Sequence, residues 1–387
     1  MRNRTARRTH GFTESVIRGM TRLANEHGAI NLAQGFPNFP CPDVLKDAAA
    51  RAIRDDVNQY AITWGAARLR NALAAKYQDW YHMAVDPMTQ VTVTCGATEA
   101  MASALLGIVD PGDEVVVFEP FYENYGPDAI LAGAIPRFVP LVPPDWSFDP
   151  DALAAAFGPK TRGIILNTPN NPTGKVFTRD ELATIAQLCR KWDVVAFSDE
   201  IYEHILYDGA THVPIATLEG MADRTVTINA LSKTYSVTGW RVGWTIASAK
   251  LTAGIRKVHD FLTVGAAAPL QEAGATALRL PDGYYAQLAA DYRDRRDLLV
   301  SGLAGAGFQC AAPRGAYYVL ADATALGCRD DTAFVRRLIE TAGVGAVPGS
   351  SFFSRPELGR TLVRFAFPKR LETLREAVER LGRRLAQ

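Results

Sequence analysis

From about residue 90 the chain alternates between two patterns. Short, continuous apolar runs occur at Val91-Thr92-Val93-Thr94, Glu114-Val115-Val116-Val117-Phe118, Gly163-Ile164-Ile165-Leu166, Val194-Val195-Ala196-Phe197 and Thr225-Val226-Thr227-Ile228. They are short and rich in β-branched residues, so they read as strands. Between them the spacing predicts helices over Glu99–Val109 and Arg179–Lys191, with Cys95-Gly96-Ala97-Thr98 as a turn and Pro111-Gly112-Asp113 as a breaker. Strands that are apolar on both faces and alternate with helices predict an α/β fold: a mostly parallel sheet with helices on both faces. Ligands on such sheets gather at the carboxyl ends of strands.

The flanks differ from this centre. Val16, Ile17, Met20, Leu23 and Ala24 share one helical face between Glu14 and His27, and the prolines and glycine of Gly35–Pro42 predict an irregular, ordered loop. After Leu280 a long charged helix is expected over Tyr284–Leu303, followed by short strands at Tyr317-Tyr318-Val319-Leu320 and Leu362-Val363-Arg364-Phe365. This predicts a smaller α+β domain over residues 284–387, completed by an N-terminal arm and segment, 1–45, beside a large domain, 46–283. No internal repeat or low-complexity tract interrupts it.

Composition narrows the classes. With 387 residues, 48% apolar, 21% charged and a net charge of +1, the chain reads as a globular protein with no global pull toward nucleic acid. No apolar run approaches membrane-spanning length. The five cysteines are scattered without a C-x-x-C pair, and the six histidines show no metal-ligand spacing. A reduced, cytoplasmic protein without a bound metal is expected. Arg2, Arg4, Arg7 and Arg8 precede the first acidic residue, Glu14, with no apolar core for a secretory signal. An arm that packs on a partner subunit, or a short transit segment, accounts for them.

The chemistry concentrates at Asn229-Ala230-Leu231-Ser232-Lys233-Thr234-Tyr235, at the end of an apolar run, with Arg241 eight residues beyond Lys233. A desolvated lysine favours the neutral amine, which attacks carbonyls, and a guanidinium offers a planar fork to phosphate. Gly96-Ala97-Thr98 opens a helix after a strand, which suits a phosphate. Arg364 stands in an apolar strand, where an anionic ligand or a buried acidic partner must balance it. Asp199 and Asn171-Pro172-Thr173-Gly174 follow strands and would also serve as ordinary turns.

In order, Asn171-Pro172-Thr173-Gly174, Asp199-Glu200-Ile201-Tyr202, the Lys233 stretch and Arg364-Phe365 resemble the class I and II aminotransferases of the fold-type I pyridoxal phosphate enzymes, over almost the whole chain. Gln34-Gly35-Phe36-Pro37-Asn38-Phe39-Pro40, Asn58-Gln59-Tyr60 and Glu119-Pro120-Phe121-Tyr122 resemble the branch holding kynurenine, glutamine–phenylpyruvate and methionine aminotransferases. The resemblance implies pyridoxal 5'-phosphate as cofactor and a Schiff base on Lys233, which also shuttles the proton. Asp199 would face the pyridine nitrogen, Tyr202 and Asn171 the phenolic oxygen, and Tyr122 the ring. Gly96, Ala97, Thr98 and Arg241 would hold the phosphate, joined by Tyr60 from the other subunit of a homodimer. Arg364, with Asn171 and Gly35, would receive the substrate α-carboxylate.

Two departures stand out. Ala230 occupies a position where the family often has a phosphate-binding serine, and Ala266-Ala267-Ala268-Pro269 stands where kynurenine-type enzymes carry an aromatic and a histidine lining the side-chain pocket. The expected reaction is transfer of the amino group of a hydrophobic, aromatic or sulfur-containing L-amino acid to a 2-oxo acid. No second arginine is assigned to a dicarboxylic side chain. A cysteine-conjugate or cystathionine β-lyase is the alternative, since both reactions begin with removal of the Cα proton. A ligand-sensing regulator would be expected to carry a helix-turn-helix extension, and a nicotinamide enzyme a complete G-x-G-x-x-G after its first strand; neither pattern is read here.

Overall fold

The computed structural model describes residues 4–385; Arg2 of the basic N-terminal stretch lies outside them. In chain order the segments are α1 (Val16–Glu26), β1 (Ile30–Asn31), α2 (Asp43–Arg54), α3 (Ala67–Tyr81), β2 (Val91–Thr94), α4 (Gly96–Ile108), β3 (Glu114–Glu119), α5 (Tyr125–Leu131), β4 (Ile135–Val142), β5 (Ser147–Phe148), α6 (Pro150–Ala155), β6 (Thr161–Asn167) and α7 (Arg179–Trp192). There follow β7 (Val195–Asp199), β8 (Thr225–Ala230), β9 (Gly243–Ala247), α8 (Ala249–Leu262), α9 (Ala268–Ala277), α10 (Asp282–Gly305), β10 (Tyr318–Asp322), α11 (Asp331–Arg337), β11 (Val344–Gly345), β12 (Val347–Pro348), β13 (Leu362–Ala366) and α12 (Leu371–Leu385).

Eight strands form one sheet in the order β2-β9-β8-β7-β6-β3-β4-β5. The pairs β8–β7, β7–β6, β6–β3 and β3–β4 are parallel, while β9 runs antiparallel to both β2 and β8. Period-two alternation sorts the side chains onto two cores. Val115, Val117, Ile165 and Phe197 join Met101, Leu105 and Ile255 from α4 and α8 on one face. Val116, Phe118, Ile164 and Leu166 join Leu182 and Ile185 of α7 on the other. The sheet is therefore covered on both sides, as its apolar runs predict. β4, β5 and β9 were not foreseen as strands; the Gly243-Trp244-Thr245-Ile246-Ala247 run of β9 follows Thr238-Gly239-Trp240-Arg241-Val242, where glycine and tryptophan interrupt any apolar run.

α7 begins with a capping box, Thr178 and Glu181 each accepting the other's backbone N–H. A second, three-stranded antiparallel sheet, β10-β13-β12, lies against α10 and α11, α12 packs on α10, and β1 pairs in parallel with β11. The N-terminal segment thus closes onto the C-terminal part of the chain at the Ile30–Val344 pair. The turn Arg7–His10, which the sequence suggests as an arm for a partner subunit, lies against α5 of its own chain. Arg8 Nη1 donates to Leu131 O at 3.5 Å, at the helix C-terminus where a cation is favoured. Among the described residues no helix is long and apolar enough to cross a membrane, and no cluster of three potential metal ligands occurs.

Behind the sheet edge a buried polar network ties α3 to β8. The Glu203 carboxylate accepts from Lys76 Nζ, Tyr81 Oη and, at 2.6 Å, Asn229 Nδ2. Burial opposes its ionisation, and the Lys76 ammonium beside it reverses that, holding Glu203 below the usual carboxylate range. Its neighbour Glu200 accepts from Ser198 Oγ at 2.8 Å and is bonded to His212 at 2.9 Å. Removing one partner of such a pair leaves a buried charge uncompensated, at about 3–5 kcal/mol. Lys76→Met is expected to lower the unfolding midpoint in a denaturant titration by a corresponding amount. The double variant Lys76→Met/Glu203→Gln should recover part of it, and an unchanged midpoint in the single variant would contradict the account.

Candidate active site

The parallel strands end at one edge of the sheet, and that edge lines a cavity. Gly96, Tyr122, Asn171, Asp199 and Lys233 all follow or end strands there, and the reversal of β9 brings its first residue to the same edge. Gly243 pairs with Thr94 on one side and Ala230 on the other. The contact between β9 and the start of α4 is tight: a Cβ on Gly243 would lie 2.5 Å from the Gly96 carbonyl carbon. Arg241, just before β9, has φ +55°, the left-handed region that costs a side-chain-bearing residue. That conformation lays its guanidinium over Gly96, where a Cβ would meet Nη2 at 2.4 Å. Glycine, itself at φ +82°, is required there.

At the start of α4 the Cys95 N–H is taken by the Glu99 carboxylate at 2.5 Å, and Glu99 is in turn bonded to His259 at 2.7 Å. The Cys95 side chain makes no cap to that first turn, and Ala97 and Thr98 within it line the cavity together with Arg241. A helix N-terminus with an adjacent guanidinium is a suitable cradle for phosphate.

Lys233 lies at the cavity centre, its Nζ 3.4 Å from Gly35 O and 5.8 Å from the Tyr317 ring centroid. Burial and the positive charges of Arg241 and Arg364 pull its ammonium down to about 8, against the opposing pull of Asp199. Asp199 is buried at the cavity floor, where Tyr125 Oη donates to Oδ2 at 2.7 Å and the Ile201 N–H to Oδ1 at 3.3 Å. Desolvation raises it to about 6. Tyr202 Oη is 3.1 Å from Tyr318 Oη, and burial raises both phenols.

Arg364, on β13, is fully buried. Among the described residues its partners are uncharged: Asn171 Oδ1 accepts from Nη1 at 2.9 Å, Ala33 O from Nη2 at 2.6 Å, and the rings of Tyr318 and Phe352 lie 4.4 and 4.8 Å from the guanidinium carbon. Nε has no hydrogen-bond partner. The buried acidic partner that would make this arginine structural is missing, so the guanidinium stands ready for an anion. Gly35 lies beside it because nothing larger fits: a Cβ would be 2.1 Å from Tyr318 Oη. Its loop is held by Tyr317 Oη on Gly35 O at 2.8 Å and by Lys369 Nζ on Phe36 O at 2.8 Å.

Of the residues singled out from the sequence, Gly35, Ala97, Thr98, Tyr122, Asn171, Asp199, Tyr202, Lys233, Arg241 and Arg364 line this one cavity, with Gly96 beneath Arg241. Tyr60 does not: it is 90% exposed on the outer surface. Ala266–Pro269 does not line the cavity of its own chain either, but leads into α9. Ala230 is buried away from the cavity, whereas Ser232 lines it. Sequence reasoning missed Tyr125, Asn167 and Tyr318. The Asn167 side chain donates to Asp199 O at 3.0 Å and accepts the Asn171 N–H at 2.7 Å, joining the two motifs. Its position at the end of a buried strand was the available signal. Tyr125 is the first residue of α5, a short helix that the sequence reading did not contain.

The chain matches the family described as aminotransferase class I and II over residues 27–381. The N-succinyldiaminopimelate aminotransferase structure from Mycobacterium tuberculosis is 43% identical, with a TM-score of 0.95 over 98% of this chain and 99% of that one. An Escherichia coli structure identified as a methionine aminotransferase is 36% identical, with a TM-score of 0.94 over 99% and 100%. The Mus musculus kynurenine–oxoglutarate transaminase 3 is 38% identical over 97% of this chain and 89% of its own length. Sequence, fold and the cavity at the strand ends agree: the chain belongs to the class I and II aminotransferases, fold-type I enzymes that use pyridoxal phosphate to exchange amino groups between amino acids and oxo acids.

Proposed function

We propose that Lys233 carries the cofactor and moves the Cα proton in the transfer of an amino group from an L-amino acid, hydrophobic, aromatic or sulfur-containing, to a 2-oxo acid by a ping-pong mechanism. The observation that carries this reading is a lysine lowered to about 8 in a cavity between a buried carboxylate, Asp199, and an arginine, Arg364, with no acidic partner among the described residues. Bound pyridoxal phosphate supplies an electron sink for the carbanion at Cα. The residues fit it: a helix N-terminus and Arg241 for phosphate, Asp199 for the pyridine nitrogen, Tyr202 and Asn171 for the phenolic oxygen, and Tyr122 for the ring. Near pH 8 Lys233 holds a substantial neutral fraction and so serves as both acid and base. Arg364 orients the α-carboxylate, which fixes the face on which the proton moves.

Ile17, Met101 and Tyr122 line the cavity and support an apolar side chain. Arg18 also lines it and forms no ion pair among the described residues, which favours a second reading: a donor with a distal carboxylate, such as the N-succinyl-diamino acid named in the Mycobacterium relative. None of the relatives reported above is a lyase.

The dimer reading rests on an apolar surface. Tyr60 and Phe261 are 90% and 93% exposed, with Ile62, Leu262 and Val264 exposed nearby. The two segments meet where His259 bonds Thr63 O at 2.7 Å. We place a second copy there, bringing Tyr60 to the partner's phosphate cradle, which is open on its Thr98–Arg241 side.

Three outcomes check these proposals. Holoenzyme mixed with single amino acids and no oxo acid should convert its cofactor to the amine form, with 2-oxoglutarate restoring it. Methionine, aromatic donors and the N-succinyl-diamino acid then rank the substrate classes, continuous pyruvate and ammonia would indicate the lyase, and Lys233→Ala should lose the lysine-bound absorbance band. Arg364→Lys, which cannot form the bidentate pair, should lower kcat/KM by roughly 100-fold for donors and acceptors alike. In sedimentation the protein should run as a dimer, and Tyr60→Ala should weaken cofactor retention without dissociating it; a monomer that retains its cofactor would remove Tyr60 from the site.

A further inference from the structure

Three carboxyl side chains line the cavity: Glu123, Asp128 and Asp199. Two have partners. Glu123 accepts from Ser15 Oγ and the Ile17 N–H, holding the start of α1 over the cavity, and Asp199 accepts from Tyr125 and Ile201. Asp128, on α5 one turn beyond Tyr125, is 8% exposed, and its Oδ2 is sealed from solvent with no hydrogen-bond partner among the described residues. A buried carboxyl without a partner is costly, and an apolar residue would pack α5 more cheaply.

The neighbouring elements do not explain it. α5 packs against α4, β3, β4 and the turn Arg7–His10. Their charged groups are engaged elsewhere: Glu99 with His259, Glu114 with Arg137, Glu119 with the Ser354 N–H, and Arg8 with Leu131 O. His10 is bonded to Thr5. Arg7 belongs to that exposed turn. Across the cavity stand Lys233, Arg241, Arg364 and Arg18. The ionised group that acts on Asp128 is Asp199, whose hydroxyl donor Tyr125 sits on the same helix.

We propose that Asp128 is a second carboxyl of the cofactor cradle, acting beside Asp199 on the pyridine end of bound pyridoxal phosphate and adding negative charge there when it ionises. This rests on the reading of Asp199 as the partner of the pyridine nitrogen. Without cofactor, burial first and the Asp199 charge second push Asp128 up to about 7. A protonated pyridine nitrogen is the cation that would offset its ionisation. Asp128 is thus a positioning residue that tunes charge at the ring, and it carries its cost in the cofactor-free protein.

The sign of that cost is testable without turnover. An unfolded aspartate titrates near 3.8, so between there and about 7 the folded cofactor-free protein binds more protons than the unfolded chain, and Asp128 reduces stability as pH rises through that window. Cofactor-free wild type and Asp128→Asn should differ least near pH 4, with the variant gaining several degrees on wild type as the pH rises to about 7 and no more above it. Cofactor affinity, from fluorescence quenching of the cofactor-free protein, should fall about three- to tenfold in the variant at pH 8 and hardly at all at pH 5.5. The pH midpoint of the lysine-bound absorbance band should move down by a few tenths of a unit, because a negative charge has been removed. Asp128→Ala repeats the measurements should the asparagine misfold. Differences that do not vary with pH would reduce Asp128 to a packing residue and overturn the proposal. Asp199→Asn separates the two readings: if it leaves cofactor binding and the absorbance midpoint unchanged, the assignment of Asp199 fails, and this one with it.

Discussion

The site depends on one constraint, the direction in which strands leave the sheet. β6, β7 and β8 are parallel, so Asn167, Asp199 and the chain leading to Lys233 emerge at the same edge. A parallel β9 would deliver its start to the opposite edge. Because β9 is reversed, Arg241 and Gly243 arrive beside Gly96, and the candidate phosphate cradle forms from segments far apart in the chain. The close approach of glycine to glycine at that junction, and the left-handed backbone at Arg241, are local costs that the surrounding sheet sustains.

Electrostatics then give that edge its chemistry. Four cations, Arg18, Lys233, Arg241 and Arg364, share one cavity, and burial together with the charges of Arg241 and Arg364 keeps the lysine partly neutral near physiological pH. Asn171, Ala33 and two aromatic faces solvate the Arg364 guanidinium without pairing it to an acid. An ion pair in place of those contacts would leave no affinity for a carboxylate. Asp199 supplies the opposite sign at the far end, braced by Tyr125 and by Asn167. The cavity thereby combines anion-seeking guanidiniums, a carboxylate and an amine in one lining.

Rigidity beneath the site comes from charges of a different kind. Glu203, one turn beyond Asp199, and Asn229, on the strand before Lys233, belong to the same buried network with Lys76 and Tyr81. The elements that carry the two central groups are therefore joined behind the cavity as well as across it. The Gly35 loop is held separately, through Tyr317 and Lys369. It belongs to the N-terminal segment, which pairs with β11 rather than with the large sheet.

The sequence by itself determined five strands of the central sheet, β2, β3, β6, β7 and β8, and the helices α4 and α7, because apolar runs buried on both faces and helical periodicities are local patterns that any packing must satisfy. It also singled out Lys233 and Arg364 as candidates, since a lysine after a strand and an arginine inside one are costly enough to need a reason. What it left undecided are relations between distant segments. The strand β9 hid in a motif whose glycines and tryptophans read as a loop, and its reversal is a property of the sheet. Asn167, Tyr125 and Tyr318 have ordinary local patterns and become part of the site only through contact with Asp199, Asn171 and Tyr202. Asp128 looks like any polar residue on a short helix until the fold buries it without a partner. Tyr60 lies on the surface of the single chain, so a cavity drawn from one copy does not include it. Local patterning depends on neighbours within a turn or a strand, whereas burial and electrostatic pairing depend on residues a hundred or more positions away, and only the tertiary structure brings those together.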